Sequence, residues 1–183
     1  MATVLVPLAQ GCEELEAVTI IDLLRRAGIE VVTAGLDDQS IRASRGVKLI
    51  PDTTLDEVLD HDFDMMVLPG GLAGAEHLQN DQRVQDLLTK MAGSGKYTAA
   101  ICAAPKVLAK TGILAGKRAT SYPGLLEQLE LSDVTLLDTP VVRDGSVITS
   151  RGPGTAMDFA LELIETLAGK TKRGEVEAAL VRP

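Results

Sequence analysis

The stretch that decides the fold is Lys96-Tyr97-Thr98-Ala99-Ala100-Ile101-Cys102-Ala103-Ala104-Pro105-Lys106-Val107-Leu108. An apolar run with small residues ends at Cys102, and a helical pattern begins almost at once. Pro105 fits the first turn of a helix, where its missing N–H costs nothing. The pattern therefore predicts a strand, a sharp turn and a helix, with a thiol held at the turn, which is typical of a nucleophile elbow.

The thiol of Cys102 has two interpretations from this stretch alone. A helix N-terminus beside the sulfur favours the thiolate over the thiol, which would make Cys102 a nucleophile. Free cysteines are also among the most buried residues, so a structural role in the core is the alternative. The elbow position favours neither, and the rest of the chain has to decide between them.

Composition limits the classes of function. The chain has 183 residues, 45% hydrophobic and 24% charged, which predicts one globular domain over residues 1–183 with a sizeable core. A net charge of −8 without any basic run argues against nucleic acid and against an anionic membrane surface. The few aromatic residues offer no platform for base stacking: Phe63, Tyr97, Tyr122 and Phe159.

Other features of the sequence bear on the cellular compartment and on metal binding. The N-terminus lacks the basic start of a signal peptide, and no stretch approaches transmembrane length, so we expect a cytoplasmic protein. The cysteines, Cys12 and Cys102, form no disulfide framework and no CxxC motif. With His61 and His77 as the only histidines, we expect no metal site and no cofactor.

Apolar patterning alternates between strands and helices along the chain. The predicted strands outside the elbow are Thr3–Ala9, Glu30–Gly35, Asp64–Leu68, Arg118–Ser121, Val134–Leu137, Val141–Arg143 and Val147–Ser150, with a small hairpin of Ile41–Ala43 and Val47–Ile50. The predicted helices are 13–27, 54–59, 74–80, 81–92, 105–111, 155–167 and 172–180. Such alternation builds parallel βαβ units, and therefore predicts a mostly parallel sheet covered by helices on both faces.

Unusual residues follow the strands that end at Ala9, Leu68, Ile101 and Ser150. Ligands bind beyond the carboxyl ends of the strands in such sheets, where these loops meet. The loops carry Gly11-Cys12-Glu13-Glu14, Pro69-Gly70-Gly71, Cys102-Ala103 and Gly152-Pro153-Gly154. The sequence therefore predicts a functional site at this edge of the sheet.

Carboxylates open the first predicted helix at Glu13, Glu14 and Glu16. Acids in a first turn complement the helix dipole, and that general role is the alternative to chemistry. The helical period places Glu16 on the apolar face and Glu14 at its side, while Glu13 can turn to solvent. Burial raises the pKa of a carboxyl group, so Glu16 is predicted to be a protonated acid that contacts Cys102 and moves protons.

Glycines at Gly70 and Gly71 permit a close backbone approach. The N–H of Gly71, paired with that of Ala103, would form an oxyanion hole; a plain turn is the alternative. Gly152-Pro153-Gly154 lacks the third glycine of a dinucleotide motif, which favours a structural turn with Thr155 as helix cap.

Two further residues keep two interpretations each. His77 is either a triad base or a surface histidine. Cys12 either lines the pocket or packs in the core.

Six motifs, in order along the chain, carry a family resemblance: 11–18, 22–28, Ser44-Arg45-Gly46-Val47, Val67-Leu68-Pro69-Gly70-Gly71, Ala100-Ile101-Cys102-Ala103-Ala104-Pro105 and 149–155. With them the chain resembles the ThiJ/PfpI superfamily and, within it, the branch of the Parkinson-disease-associated deglycase and its bacterial YajL-type relatives. The resemblance covers essentially the whole chain. It implies a flavodoxin-like three-layer α/β/α sandwich, of the class I glutamine amidotransferase-like kind, and a homodimer built partly on the first helix.

The resemblance also implies roles for individual residues. The reactive cysteine matches Cys102, the buried acid matches Glu16, and the oxyanion donors match the N–H groups of Gly71 and Ala103, with Gly70 beside the substrate. An arginine on the interface side of the site matches Arg45, to which Arg25 would contribute.

The chain departs from family patterns at two positions. Tyr122 stands where the human-type proteins carry a histidine near the cysteine. Tyrosine is a weak base at neutral pH, so its hydroxyl is expected to orient substrate instead. Ala103 occupies the position of the histidine in the intracellular-protease branch, which argues against a Cys–His protease.

The family likeness implies a cofactor-independent enzyme that acts on methylglyoxal, glyoxal and their early protein adducts. The Cys102 thiolate would add to the aldehyde carbon, and the product would be lactate or glycolate. The expected partners are thus small α-oxoaldehydes, glycated proteins and a second copy of the chain. The alternative is an oxidative-stress sensor or chaperone whose Cys102 is oxidised to a sulfinic acid beside Glu16. A hydrolase with His77 as its base is a third possibility.

Overall fold

A seven-stranded sheet forms the centre of the protein in the computed structural model, which describes residues 1–182. The strands are β1 (Thr3–Leu8), β2 (Glu30–Gly35), β3 (Ile41–Arg42), β4 (Lys48–Leu49), β5 (Thr53–Thr54), β6 (Met65–Leu68), β7 (Tyr97–Ile101), β8 (Arg118–Ala119), β9 (Thr135–Leu136), β10 (Val141–Asp144) and β11 (Val147–Ser150). The helices are α1 (Glu14–Arg26), α2 (Leu72–Asn80), α3 (Gln82–Gly93), α4 (Pro105–Lys110) and α5 (Ala156–Ala179). Short 3₁₀ turns lie at Asp56–Val58, Glu127–Leu129 and Pro153–Thr155.

The central sheet has the strand order β10-β11-β7-β6-β1-β2-β5, and every neighbouring pair is parallel except β10 with β11. Helix α1 packs against α5, and α2 packs against α3 and α4, so helices cover both faces. The predicted α/β/α architecture is confirmed. From β1 the chain runs outward to β2 and then returns to β6 on the other side of β1. The loops after β1 and β6 therefore diverge at a topological switch point, where open α/β sheets bind ligands.

Apolar, often β-branched residues make the central strands suitable for burial on both faces. Val4, Leu5 and Val6 of β1 have no exposed surface, and neither do the four residues of β6. The switch point thus lies on the most deeply buried strands of the sheet. The loops after β1 and β6 therefore begin at rigid positions.

The peripheral elements differ from their predicted form. Strands β8 and β9 pair with each other in a separate parallel sheet instead of joining the central one. The two predicted C-terminal helices follow one another within α5, which is interrupted at Gly169 (φ 86°, ψ 167°). Thr155 occupies the N-cap of α5 as predicted, but its hydroxyl hydrogen-bonds to Gly152 in the preceding turn instead of to an N–H group of α5.

Across residues 1–182, no helix combines the length and the apolar character needed to cross a membrane.

Candidate active site

Cys102 directly follows β7 and has a φ of 63°, in the left-handed region that non-glycine residues rarely adopt. Its N–H donates to the carbonyl of Ser150 at 3.0 Å, and its carbonyl accepts from the N–H of Tyr122 at 2.9 Å. Pro105 begins α4 as predicted. The strained turn is therefore held by β11 and by the loop after β8, and the predicted elbow geometry is confirmed.

Glu16 lies on the buried face of α1 and has no exposed surface, as its helical phase predicted. Its Oε2 accepts the N–H of Gly70 at 2.9 Å, while Oε1 is buried without a hydrogen-bond partner among residues 1–182. Burial raises the pKa of Glu16 to about 7, against the lowering effect of hydrogen bonds from Cys102 and Gly70. A buried charged oxygen without a partner is costly, which also favours the protonated carboxyl.

The Cys102 side chain is 8% exposed and lies against Glu16. Burial, followed by the charge of an ionised Glu16, raises the pKa of Cys102 to about 12. The main-chain N–H groups of Gly71 and Ala103 act in the opposite direction and lower that pKa. Burial and an ionised Glu16 therefore oppose the thiolate that a helix N-terminus favours, and the predicted pair of a Cys102 thiolate and a protonated Glu16 stays a prediction.

The glycines of the loop after β6 permit its approach to Glu16 and Cys102. A Cβ on Gly70 would lie 2.6 Å from the Cβ of Cys102 and 2.6 Å from Oε2 of Glu16. Gly71 has a φ of 89°, and a Cβ there would strike the carbonyl of Gly11. The loops after β1, β6 and β7 therefore meet with backbone in contact, as the glycine pair predicted.

Tyr122 lies beside the elbow through its main chain. Its ring is 50% exposed and packs over Gly152, where an added Cβ would lie 3.4 Å from Cδ2. The ring thus lies against the loop at Gly152, while the main-chain N–H of Tyr122 holds the carbonyl of Cys102.

Arg45 is exposed on the loop between β3 and β4. Its guanidinium donates to the carbonyl of Ser44 at 3.5 Å, and within residues 1–182 no hydrogen bond joins it to Cys102 or Glu16. The chain by itself therefore does not bring Arg45 to the sulfur.

The expected contribution of Arg25 fails at this site, and the surface interpretation of His77 is favoured over the triad base. Arg25 pairs with Asp52 at 2.8 Å and donates to the carbonyl of Val31, so it does not contribute beside Arg45. His77 is exposed and bonds the carbonyl of Gln10 through Nδ1 at 3.0 Å, and the described chain has no hydrogen bond between it and Cys102. A hydrolase with His77 as base is not supported.

Glu14 has a positioning role that sequence reasoning missed. Its carboxylate accepts from the hydroxyl of Ser44 at 2.9 Å and from the N–H groups of Arg45 at 2.8 Å and Val47 at 3.4 Å. These donors lower the pKa of Glu14 although burial opposes them. A tight turn at Gly46 leaves neighbouring N–H groups without strand partners, and such groups require an acceptor. This requirement is the feature of the sequence that could have indicated the role of Glu14.

Glu13 does not turn fully to solvent, although its position at the start of the helix would permit it. It occupies the N-cap of α1, and its carboxylate accepts the N–H of Glu16 at 2.9 Å. Its helical phase gave no sign of this, because a cap side chain folds back onto its own helix.

The arrangement is suited to one kind of chemistry. A thiol lies beside a buried carboxyl group, and the main-chain N–H groups of Gly71 and Ala103 lie close enough to the sulfur to lower its pKa. Together they can add a nucleophile to a carbonyl carbon, stabilise the resulting oxyanion and transfer a proton. Residues 1–182 contain no cluster of three His, Cys, Asp or Glu side chains able to hold a metal ion.

Comparisons with known proteins place the chain in a family. The model of the DJ-1/PfpI family matches residues 2–166. The Drosophila melanogaster protein dj-1beta is 49% identical over 178 residues, which cover 97% of this chain and 95% of that protein. The crystal structure of Drosophila melanogaster DJ-1beta has a TM-score of 0.96 at 47% identity, covering 100% of this chain and 98% of that one. A Caenorhabditis elegans protein, the glutathione-independent glyoxalase DJR-1.2, is 36% identical over 171 residues, 93% of this chain and 90% of that protein. The chain belongs to the DJ-1/PfpI family.

Proposed function

We propose that the protein is a cofactor-independent glyoxalase that converts methylglyoxal to lactate and glyoxal to glycolate without glutathione. The observation that carries this proposal is the position of the Cys102 sulfur, between the buried Glu16 carboxyl and the N–H groups of Gly71 and Ala103. The glyoxalase name of the Caenorhabditis elegans relative supports the same activity.

The reaction starts with Glu16 protonated and Cys102 as thiolate. The sulfur adds to the aldehyde carbon, and the new oxyanion is held by the N–H groups of Gly71 and Ala103 until it takes the proton of Glu16, which gives a hemithioacetal and a Glu16 carboxylate. This carboxylate then takes the hydrogen of the same carbon as a proton, and after an enediol it returns a proton to the neighbouring carbonyl carbon. The aldehyde carbon is thereby oxidised and its neighbour reduced. Water hydrolyses the thioester, releasing the hydroxy acid and restoring the thiol.

Substrate contacts outside this centre are assigned to Gly70, Tyr122 and Arg45. The half-exposed ring of Tyr122 gives its hydroxyl access to a carbonyl oxygen. The absence of a side chain at Gly70 lets the main chain pack directly against Cys102 and Glu16, beside the carbon that the sulfur attacks.

We also propose a homodimer in which the second copy covers the surface around the start of α1. Apolar side chains with large exposed fractions lie on α1 and on the β3–β4 region: Leu15 51%, Val18 47%, Val47 49% and Ile50 86%. Arg45 lies next to Val47, so this interface would bring it toward a bound substrate.

Turnover of methylglyoxal by the purified protein, without glutathione or added metal, tests the glyoxalase proposal. We expect lactate in proportion to the aldehyde consumed, and none from Cys102→Ala. A wild-type protein that leaves methylglyoxal unchanged would overturn the proposal.

Early adducts of methylglyoxal with protein amines present the same carbon to the thiolate, and we propose them as further substrates. A pre-formed adduct, mixed with an excess of a scavenger for free aldehyde, separates the two activities. Direct deglycation predicts that the amine is released faster in the presence of the protein and the scavenger than in the presence of the scavenger alone. Equal rates would limit the activity to free aldehydes.

Oxidation sensing is the second candidate, because a protonated Glu16 can donate a hydrogen bond to an oxidised Cys102. Intact-mass analysis after mild peroxide distinguishes it from catalysis. A stable gain of two oxygens at Cys102 with negligible aldehyde turnover would favour the sensor.

A further inference from the structure

The start of α1 and the loop after β6 are joined by a closed ring of hydrogen bonds. The N–H of Glu13 donates to the carbonyl of Gly70, the N–H of Gly70 donates to Oε2 of Glu16, and the N–H of Glu16 donates to Oε2 of Glu13, each at 2.9 Å. Each of the three residues thus donates one hydrogen bond through its N–H and accepts another through an oxygen atom. The ring determines where the Glu16 carboxyl lies relative to Gly70, and Gly70 in turn packs against the side chain of Cys102.

We propose that Glu13 is a positioning residue for the Glu16–Cys102 pair: it closes this ring and places a second negative charge beside the Glu16 carboxyl. Glu13 does not touch the reacting atoms in this role and acts through Glu16. The catalytic consequence rests on the proposed function, whereas the effect on the cysteine does not.

The charge of Glu13 has a defined direction of effect. It raises the pKa of Glu16, after the larger contribution of burial. The other titratable groups near Glu16 are Cys102 at the elbow and Cys12, whose own pKa is raised by all three acids of this helix start. When the pair holds a single proton, the position of that proton on Glu16 leaves Cys102 as a thiolate. Without the charge of Glu13, the proton moves toward Cys102 and the thiolate population near neutral pH falls.

Glu13→Gln separates charge from geometry, because the amide oxygen can still accept the N–H of Glu16. Glu13→Asp keeps the charge on a shorter side chain, and Glu76→Gln removes an exposed carboxylate from α2 as the matched control. The readout is the rate at which iodoacetamide alkylates Cys102, followed by peptide mass, at neutral and at alkaline pH. Far-UV circular dichroism and the melting temperature of each variant confirm that it is folded.

For Glu13→Gln we expect the ratio of the neutral to the alkaline rate to fall by about threefold to tenfold, which corresponds to half to one pKa unit. Glu13→Asp and Glu76→Gln should keep the wild-type ratio. A folded Glu13→Gln variant with the wild-type ratio would overturn the proposal. Because alkylation needs no substrate, a changed ratio in a protein that does not turn over methylglyoxal would support Glu13 and refute only the glyoxalase.

Discussion

The two cysteines of this chain have similar burial and different surroundings. Cys12 is 1% exposed and Cys102 is 8% exposed, and burial raises the pKa of each to about 12. Cys12 faces the negative charges of Glu14 and Glu13, and against them its own main-chain N–H lowers its pKa. Cys102 has the N–H groups of Gly71 and Ala103 close to its sulfur and a carboxyl partner that can hold a proton.

This difference shows that burial does not decide whether a cysteine is inert. An ionised Cys12 would have like charges as neighbours, whereas an ionised Cys102 has hydrogen-bond donors and a neutral acid. Backbone geometry adds to the contrast, because Cys102 is held in the left-handed region, and Cys12 packs so closely that a Cβ on Gly74 would lie 2.6 Å from its Cα.

The largest expected effect is the loss of turnover on removal of the nucleophile. Cys102→Ala should lower kcat/KM for methylglyoxal by more than about a thousandfold, as removal of a covalent nucleophile does. Cys12→Ala, which removes the thiol that packs in the core, should stay within about threefold of wild type when the variant is folded. Equal losses in both variants would contradict the distinction between the two thiols.

Glu16→Gln should lower kcat/KM by about a hundredfold to a thousandfold, because the amide cannot exchange a proton with the hemithioacetal. The same change removes the negative charge that raises the pKa of Cys102, so alkylation of Cys102 should persist or become faster. Steady-state kinetics and alkylation rates on one preparation check both outcomes. A parallel loss of alkylation would show that the carboxyl only maintains the fold.

Gly70→Ala tests the close approach of the loop after β6. The new Cβ would overlap with Cys102 and Glu16, and we expect about a hundredfold loss of kcat/KM from their displacement. Unfolding in urea should show a destabilisation of about 1–3 kcal/mol.

Gly93→Ala is the control for that substitution, since a Cβ at Gly93 has no atom within 4 Å. It should leave activity unchanged. Wild-type kinetics for Gly70→Ala would show that the site does not depend on this packing.

The smallest effect concerns stability against pH. The pKa of Glu16 is raised from 4.5 to about 7 in the folded protein, so its contribution to stability is complete below pH 4.5 and is lost as the pH rises through 7. Between pH 5 and 8 the free energy of unfolding should therefore fall by about 2–3 kcal/mol more in wild type than in Glu16→Gln. Urea unfolding of both proteins at the two pH values measures this difference. Identical pH dependence would mean that Glu16 is already ionised at pH 5.

Local signals in the chain were sufficient for the elbow and for Glu16. Pro105 and the apolar run before Cys102 lie within a few residues of the turn they form, and the helical period alone placed Glu16 inside. Sequence reasoning failed where a partner is distant along the chain. Arg25 pairs with Asp52, and Glu14 binds the loop at 44–47, contacts that depend on how the sheet edge and the hairpin come together.

The ionisation of the thiol also depends on contacts that are distant along the chain. A helix N-terminus is a local feature that favours a thiolate, whereas burial and the charge on Glu16 are set by the assembled loops and raise the pKa of Cys102. The helical period predicted the contact between Glu16 and Cys102, but the depth of burial at that contact comes only from the structure.

The most direct test of the central claim compares the two thiols in one folded wild-type protein. Iodoacetamide is added in small excess at neutral pH, and the alkylated peptides that contain Cys12 and Cys102 are quantified against time. We predict that Cys102 is alkylated at least about a hundredfold faster, since a reactive thiolate needs stabilising donors as well as access. Equal rates, or faster alkylation of Cys12, would contradict the account.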